Sequence, residues 1–175
     1  YEHEVRALWS YAIGTAWYAK AIARLQGYDA DKAFLWGLLH DVGKPVILLA
    51  LTQLQRELSA RLDNATVSEA MEVFHTQAGA LLAERWGLPV MVKECIQYHH
   101  DPLAAPTYPE AALVTCVADA VVEAVLTGEL MEAAAANLYQ HPAVRHLGCS
   151  VAALEDLLAM SEEVRQVMTM ITAIR

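Results

Sequence analysis

Leu8, Tyr11, Ala12, Thr15, Ala19 and Ile22 recur at three- and four-residue steps, predicting a first helix that Gly27 closes. Asp29 can cap a second helix from Ala30 to about Asp41, stopped at Gly43. Pro45 suits the first turn of a third, running to about Leu62. Asp63-Asn64 reads as a turn, and Ser68 as the start of a stretch through His75 to Trp86. Gly87-Leu88-Pro89 is a stop and a new start, and the next helix reaches His99-His100. Asp101 to Pro109, with three prolines, reads as a loop. Pro109 to about Leu126 is a long helix that Gly128 closes, and Glu129–Tyr139 and Ser150–Ile174 are two more, split by His141-Pro142 and Gly148. No useful alternating run and no repeat interrupts the pattern. It predicts one all-α domain over residues 1–175.

Composition narrows the class. At 175 residues and 56% hydrophobic, the chain can bury a sizeable core, which excludes disorder. Twelve Lys and Arg against 21 Asp and Glu leave a net charge of -9, which opposes coating of DNA or RNA. Cys95, Cys116 and Cys149 are odd in number and far apart, so reduced thiols are expected. The start Tyr1-Glu2-His3-Glu4 is no secretory leader and lacks an initiator Met, so a cytoplasmic piece of a longer chain is expected. No membrane span is expected: Val46–Leu51 is too short, and Ala111–Leu126 carries Asp119 and Glu123.

Several residues could carry chemistry. His40-Asp41 closes the second helix, and imidazole and carboxylate are both ligands for a divalent cation. Gly37 leaves space on the same face. Lys44, beside the start of the next helix, could hold a phosphate. The plain alternative is a capped helix end with an exposed His and Asp. His75 aligns with Gly79, Leu82 and Trp86 on a face expected to be buried, where a lone His is more often a core residue than a ligand. His99 shares an inward face with Val92 and Ile96, while His100 is rotated away in line with Lys93 and Gln97. Asp119 interrupts an apolar helix, either as a buried carboxylate or within a solvated stripe Thr115-Asp119-Glu123. Glu84, Arg85, Lys93 and Glu94 read as a solvated face, and His3, His141 and His146 as surface residues without a role. Taken together, the His and Asp residues sit at the ends or inner sides of separate helices, as a metal site in a bundle core requires. Such an ion would activate water for attack on phosphorus.

These motifs resemble the HD superfamily, and more closely its HDOD (HD-related output) domains of bacterial signalling proteins. The resemblance is carried by Leu8-Trp9-Ser10-Tyr11, Phe34 to Lys44 around Gly37-Leu38-Leu39-His40-Asp41-Val42-Gly43-Lys44, His75 to Leu82, Trp86-Gly87-Leu88-Pro89, His99-His100-Asp101-Pro102 and Ala118-Asp119-Ala120, with a weaker echo in Leu147-Gly148-Cys149-Ser150. It implies a single HD-type helical bundle of about seven to eight helices. It also implies a site for one or two divalent ions (Fe, Mn, Zn or Mg), with His40, Asp41, His75 and Asp119 for one ion and His99 and His100 added for two. Asp41 and Lys44 would then be catalytic, Lys44 on the phosphate.

Two departures matter. Tyr11 aligns with the first His ligand of catalytic HD enzymes, and a phenol is a poor ligand for Mg²⁺, Mn²⁺ or Zn²⁺. It could instead donate to His40 or Asp119 and fill the ion's place, leaving a degenerate site without metal. HDOD proteins also usually carry a helical segment ahead of the part seen here, and its loss could expose an apolar face and favour a homodimer. The Gly-poor segment Asp101 to Pro109 differs from that of the HD-GYP phosphodiesterases.

Three readings follow. One is a regulatory output domain acting on signalling proteins or through a small nucleotide-like ligand. The second is a metal-dependent phosphohydrolase or phosphodiesterase acting on a nucleotide or cyclic nucleotide. The third is a helical interaction domain whose histidines are structural.

Overall fold

The computed structural model of the chain describes residues 2–172, with side chains to residue 170. Every regular element there is helical: α1 (Glu2–Gln26), α2 (Ala30–Leu39), α3 (Gly43–Leu58), α4 (Asn64–Arg85), α5 (Val90–Tyr98), a 3-10 turn (Pro102–Ala104), α6 (Pro109–Thr127), α7 (Met131–Gln140), α8 (Pro142–Leu147), α9 (Val151–Ala159) and α10 (Ser161–Thr172).

The core is built on α1 and α6. Ala16, Tyr18, Ala19, Ile22 and Ala23 of α1 are buried, and the small ones let neighbouring helices approach closely. Helix α6 is apolar almost all round, with Ala111–Thr115, Val117, Ala118, Val121, Val122 and Val125 buried, and it therefore sits centrally. It packs on α1, α2, α5, α7, α8 and α9, while α10 lies along α1 and α3 pairs with α4. The α1–α2 crossing is tight: a side-chain carbon on Gly37 would lie 2.7 Å from the backbone of Thr15 and Ala16.

Several expectations change. Asp63 is not in a free turn; its carboxylate accepts from Thr66 N and caps α4, which starts at Asn64 rather than Ser68. Helix α3 stops at Leu58, before Leu62, because Ser59 turns left-handed (φ 50°) and its N–H closes onto Arg56 O. The expected helix Ser150–Ile174 is two, broken at Met160, whose N–H bonds back to Leu157 O before Ser161 starts α10; residues 173 and 174 lie outside the described residues. Trp86 leaves the buried stripe because α4 ends at Arg85, and it is exposed. Glu94 is buried, not solvated: it accepts from Thr107 N (3.0 Å) and Tyr108 N (2.8 Å), tying the proline loop to α5. His141 caps α8 by accepting from Ala143 N.

A stretch of 18 residues within residues 30–58 reaches mean hydropathy 1.5, which by length and composition alone makes residues 30–58 a weak candidate for a membrane span. They are interrupted at residues 40–42, and His40, Asp41 and Lys44 lie within them.

Candidate metal centre

The turn between α2 and α3 carries His40 and Asp41 into the bundle. Gly43 follows and lies against α4, where an added carbon would fall 1.9 Å from His75 O and 2.7 Å from Gly79 N. Only glycine permits that approach, which brings Asp41 onto His75. The end of α5 adds His99 and His100, and the middle of α6 adds Asp119.

Asp41 is the hub. Its Oδ1 lies 3.3 Å from His75 Nε2 and 3.7 Å from His99 Nε2, and its Oδ2 lies 3.5 Å from His40 Nε2. Asp119 Oδ1 is 3.4 Å from His40 Nε2. His75 Nε2 is 3.4 Å from His99 Nε2 and 3.1 Å from His100 Nε2. His40, His75 and His99 are fully buried. His100 is exposed, as its rotation suggested, yet its ring still reaches the cluster. Asp119 belongs to no solvated stripe: Thr115, one turn before it, is buried and bonded to Cys95 Sγ at 3.1 Å.

The tautomers follow from the other ring nitrogens. Nδ1 of His40 donates to Gly37 O (2.7 Å), that of His75 to Glu72 O (2.9 Å), and that of His99 to Ile96 O (2.9 Å). Carbonyls only accept, so these Nδ1 atoms carry hydrogen and the neutral rings turn Nε2 lone pairs toward the carboxylates. Lone pairs facing carboxylate oxygens repel unless positive charge lies between them. His40 Nε2 is a buried atom with no hydrogen-bond partner.

Electrostatics express the same demand. Burial opposes the His40 imidazolium, but Asp41 and Asp119 outweigh it and raise its pKa. Burial, with the neighbouring His40 and His100, pushes His99 down to about 3. His75 is lowered, chiefly by burial. Burial works against ionising Asp41 and Asp119, yet His40 and Lys44 at Asp41, and His40 and Tyr11 at Asp119, hold both below the usual carboxylate range. A proton on His40 or a divalent cation among these atoms meets the demand. His40, Asp41 and His99, and separately His75, His99 and His100, are spaced to share an ion, with His99 common to both groups. The second nitrogens of His40, His75 and His99 are already anchored by backbone carbonyls, the arrangement that orients imidazole ligands. The residues fit a divalent cation.

Tyr11 stands beside this cluster, its ring centroid 6.3 Å from that of His40. Its hydroxyl donates a long bond (3.5 Å) to the backbone carbonyl of Asp119. Burial and the Asp119 charge raise its pKa, so it stays a neutral phenol. Lys44 is not free: its ammonium lies 2.8 Å from Asp41 Oδ2 and 3.0 Å from Glu72 Oε1. Sequence reasoning missed Glu72, since no spacing singles out one acidic residue on an exposed helical turn. It also missed an apolar cleft of about 60 Å³ beside Asp41, lined by Leu8, Trp9, Leu39, Val42 and Pro45 among others.

The HDOD domain family model matches residues 1–102. The chain belongs to the HDOD family. This family is related to the HD phosphohydrolases, and the match runs from α1 through α5, which supply every cluster residue except Asp119. An uncharacterised protein of Treponema pallidum is 32% identical over 116 residues, 60% of this chain and 22% of that protein. A ribonuclease Y of Thermus thermophilus is 29% identical over 150 residues, 86% of this chain and 22% of that one. The ribonuclease Y of Aquifex aeolicus is 34% identical over 106 residues, 61% and 15% of the two chains. The HDOD chain thus spans under a quarter of these curated relatives. Two crystal structures share the fold: a protein of Shewanella amazonensis provisionally named a phosphohydrolase (TM-score 0.71, 21% identity, 96% of this chain, 64% of that one) and an HDOD protein of Geobacter sulfurreducens (0.70, 24%, 97%, 63%).

Proposed function

We propose that this HDOD domain is a regulatory module of a bacterial signalling protein, with a divalent cation as its structural and ligand-sensing centre. The observation that carries the reading is the buried, unpartnered Nε2 of His40 facing two carboxylates, a point that calls for positive charge. His40, Asp41, His99 and Asp119 would hold one ion, and His75 with His100 a second beside it. When bound, such a cation polarises phosphate oxygens and lowers the pKa of water. The chain's own residues temper that chemistry. Tyr11 presents a neutral phenol where the catalytic relatives have an imidazole, and Asp41 and Glu72 hold Lys44. The phenol at Tyr11 favours ligand binding over turnover, and the phosphate-bearing ligand is read as nucleotide-like.

A second reading, metal-dependent phosphodiester hydrolysis, draws on the similarity to two ribonucleases Y and on the convergence of all six His and Asp residues. Elemental analysis of protein purified without chelator, followed by a phosphodiester turnover assay, separates the two. One or two equivalents of metal without turnover is the expected result. Turnover that disappears in Asp41→Asn replaces the regulatory reading with the hydrolytic one, and an absence of metal even after loading overturns both.

A further inference from the structure

Lys44 and Glu72 form a part of the cluster that can open cheaply. Lys44 is mostly buried, with 14% of its side chain exposed, and its ammonium bridges two unequal partners. Asp41 is 9% exposed and is faced by three imidazoles, so it has nowhere to go. Glu72 is 58% exposed at its side chain and can turn into water. Its backbone is fixed, because Glu72 O accepts from His75 Nδ1, so its carboxylate starts one helical turn before a cluster histidine. A half-exposed ion pair contributes little, so a ligand of modest affinity can break it.

We propose that Glu72 is a latch on Lys44. In the closed state it places negative charge beside the cluster and occupies an ammonium hydrogen that an anion would need. A phosphate-bearing ligand binds by displacing the Glu72 carboxylate from Lys44, while Asp41 keeps its own bond to the ammonium. The proposal rests on reading the cluster as a cation site that takes a phosphate ligand.

The test measures binding of inorganic phosphate to the metal-loaded protein by calorimetry, with metal content determined on the same samples. Glu72→Gln is expected to bind phosphate about fivefold tighter than the original protein, the scale of one weak ion pair. Glu69→Gln, on the same helix and also exposed, removes the same charge and is expected to change affinity less than about twofold. In a Lys44→Gln background, Glu72→Gln is expected to add no more than Glu69→Gln does. Equal affinities for Glu72→Gln and the original protein, an equally large effect of Glu69→Gln, or a gain that survives without Lys44 each overturn the latch alone. Phosphate binding by none of the proteins, at full metal content, overturns the phosphate-ligand reading and the latch with it.

Discussion

Gly43 and His75 touch through backbone alone: a β-carbon on Gly43 would sit 1.9 Å from the His75 carbonyl oxygen. This contact sets the distance between the turn that carries Asp41 and the helix that carries His75. Gly79 completes it, one turn beyond His75 on the same face of α4. Backbone atoms cannot shift as a flexible side chain can, so Gly43→Ala must push α3 and α4 apart. We expect a loss of about 2 kcal/mol or more, since overpacking a tight contact costs about 1–3 kcal/mol. Denaturant unfolding checks the stability, and metal titration should show weakened binding as Asp41 moves off His75.

Asp41→Asn keeps the shape of the hub and removes its charge. Bound metal should fall below detection in elemental analysis, with the helical circular dichroism retained. Full ion content in this variant would sink the proposed centre.

Tyr11→His exchanges a neutral phenol for a nitrogen donor beside His40 and Asp119. Metal affinity should rise about tenfold, or ~1.4 kcal/mol. Competition against a chromophoric chelator reads this directly, and tighter binding by the original Tyr11 protein would contradict it.

His99 makes the metal-free protein acid-sensitive. Its pKa is near 3 in the fold against the ordinary 6.5, so below pH 6.5 the unfolded chain takes up a proton that the folded one refuses. Its contribution is fully present above pH 6.5 and declines as the pH falls toward 3. The lowered His75 acts in the same direction, whereas the raised His40 works against both. Chelated protein should therefore show no imidazolium signal from His99 at pH 5 by nitrogen-detected NMR. Replacing His99 by Asn should flatten the fall in melting temperature between pH 7 and 5.

Glu94→Gln tests the tie between α5 and the proline loop. Burial resists the Glu94 charge, but the N–H groups of Tyr108 and Thr107 outweigh it and lower the pKa. The stability this supplies is present above the ordinary value of 4.5 and is lost as the pH falls through the lowered one. At pH 7 the substitution should cost about 1–3 kcal/mol in chemical unfolding, since hydrogen bonds to a charged acceptor are the strong kind. An effect that persists undiminished at pH 3 would exclude the charge as its source.

The helical order was legible because period and punctuation are local. Gly27, Gly128 and Gly148 end helices with positive φ, and Pro109 opens one at its first turn. The inward face of His75 followed from its spacing to Gly79, but extending that stripe to Trp86 failed. The helix stops one residue earlier, and a period carries no meaning past a helix end. The break at Met160 went unseen because no Gly or Pro marks it.

What the sequence by itself determined is therefore the all-α class, most helix ends, and the kinds of side chain available for a metal centre. Each of these depends on neighbours within a few residues. The tertiary structure decided which residues meet. It buried Thr115 against Cys95 and so removed the solvated stripe around Asp119. It also carried exposed His100 to His75, and set Glu72 on Lys44 across two helices. Those contacts join residues between 20 and 28 positions apart, or further in the case of Asp119 and His40. They depend on how closely helices can cross at Gly37, Gly43 and Gly79, and helical period alone does not specify that distance.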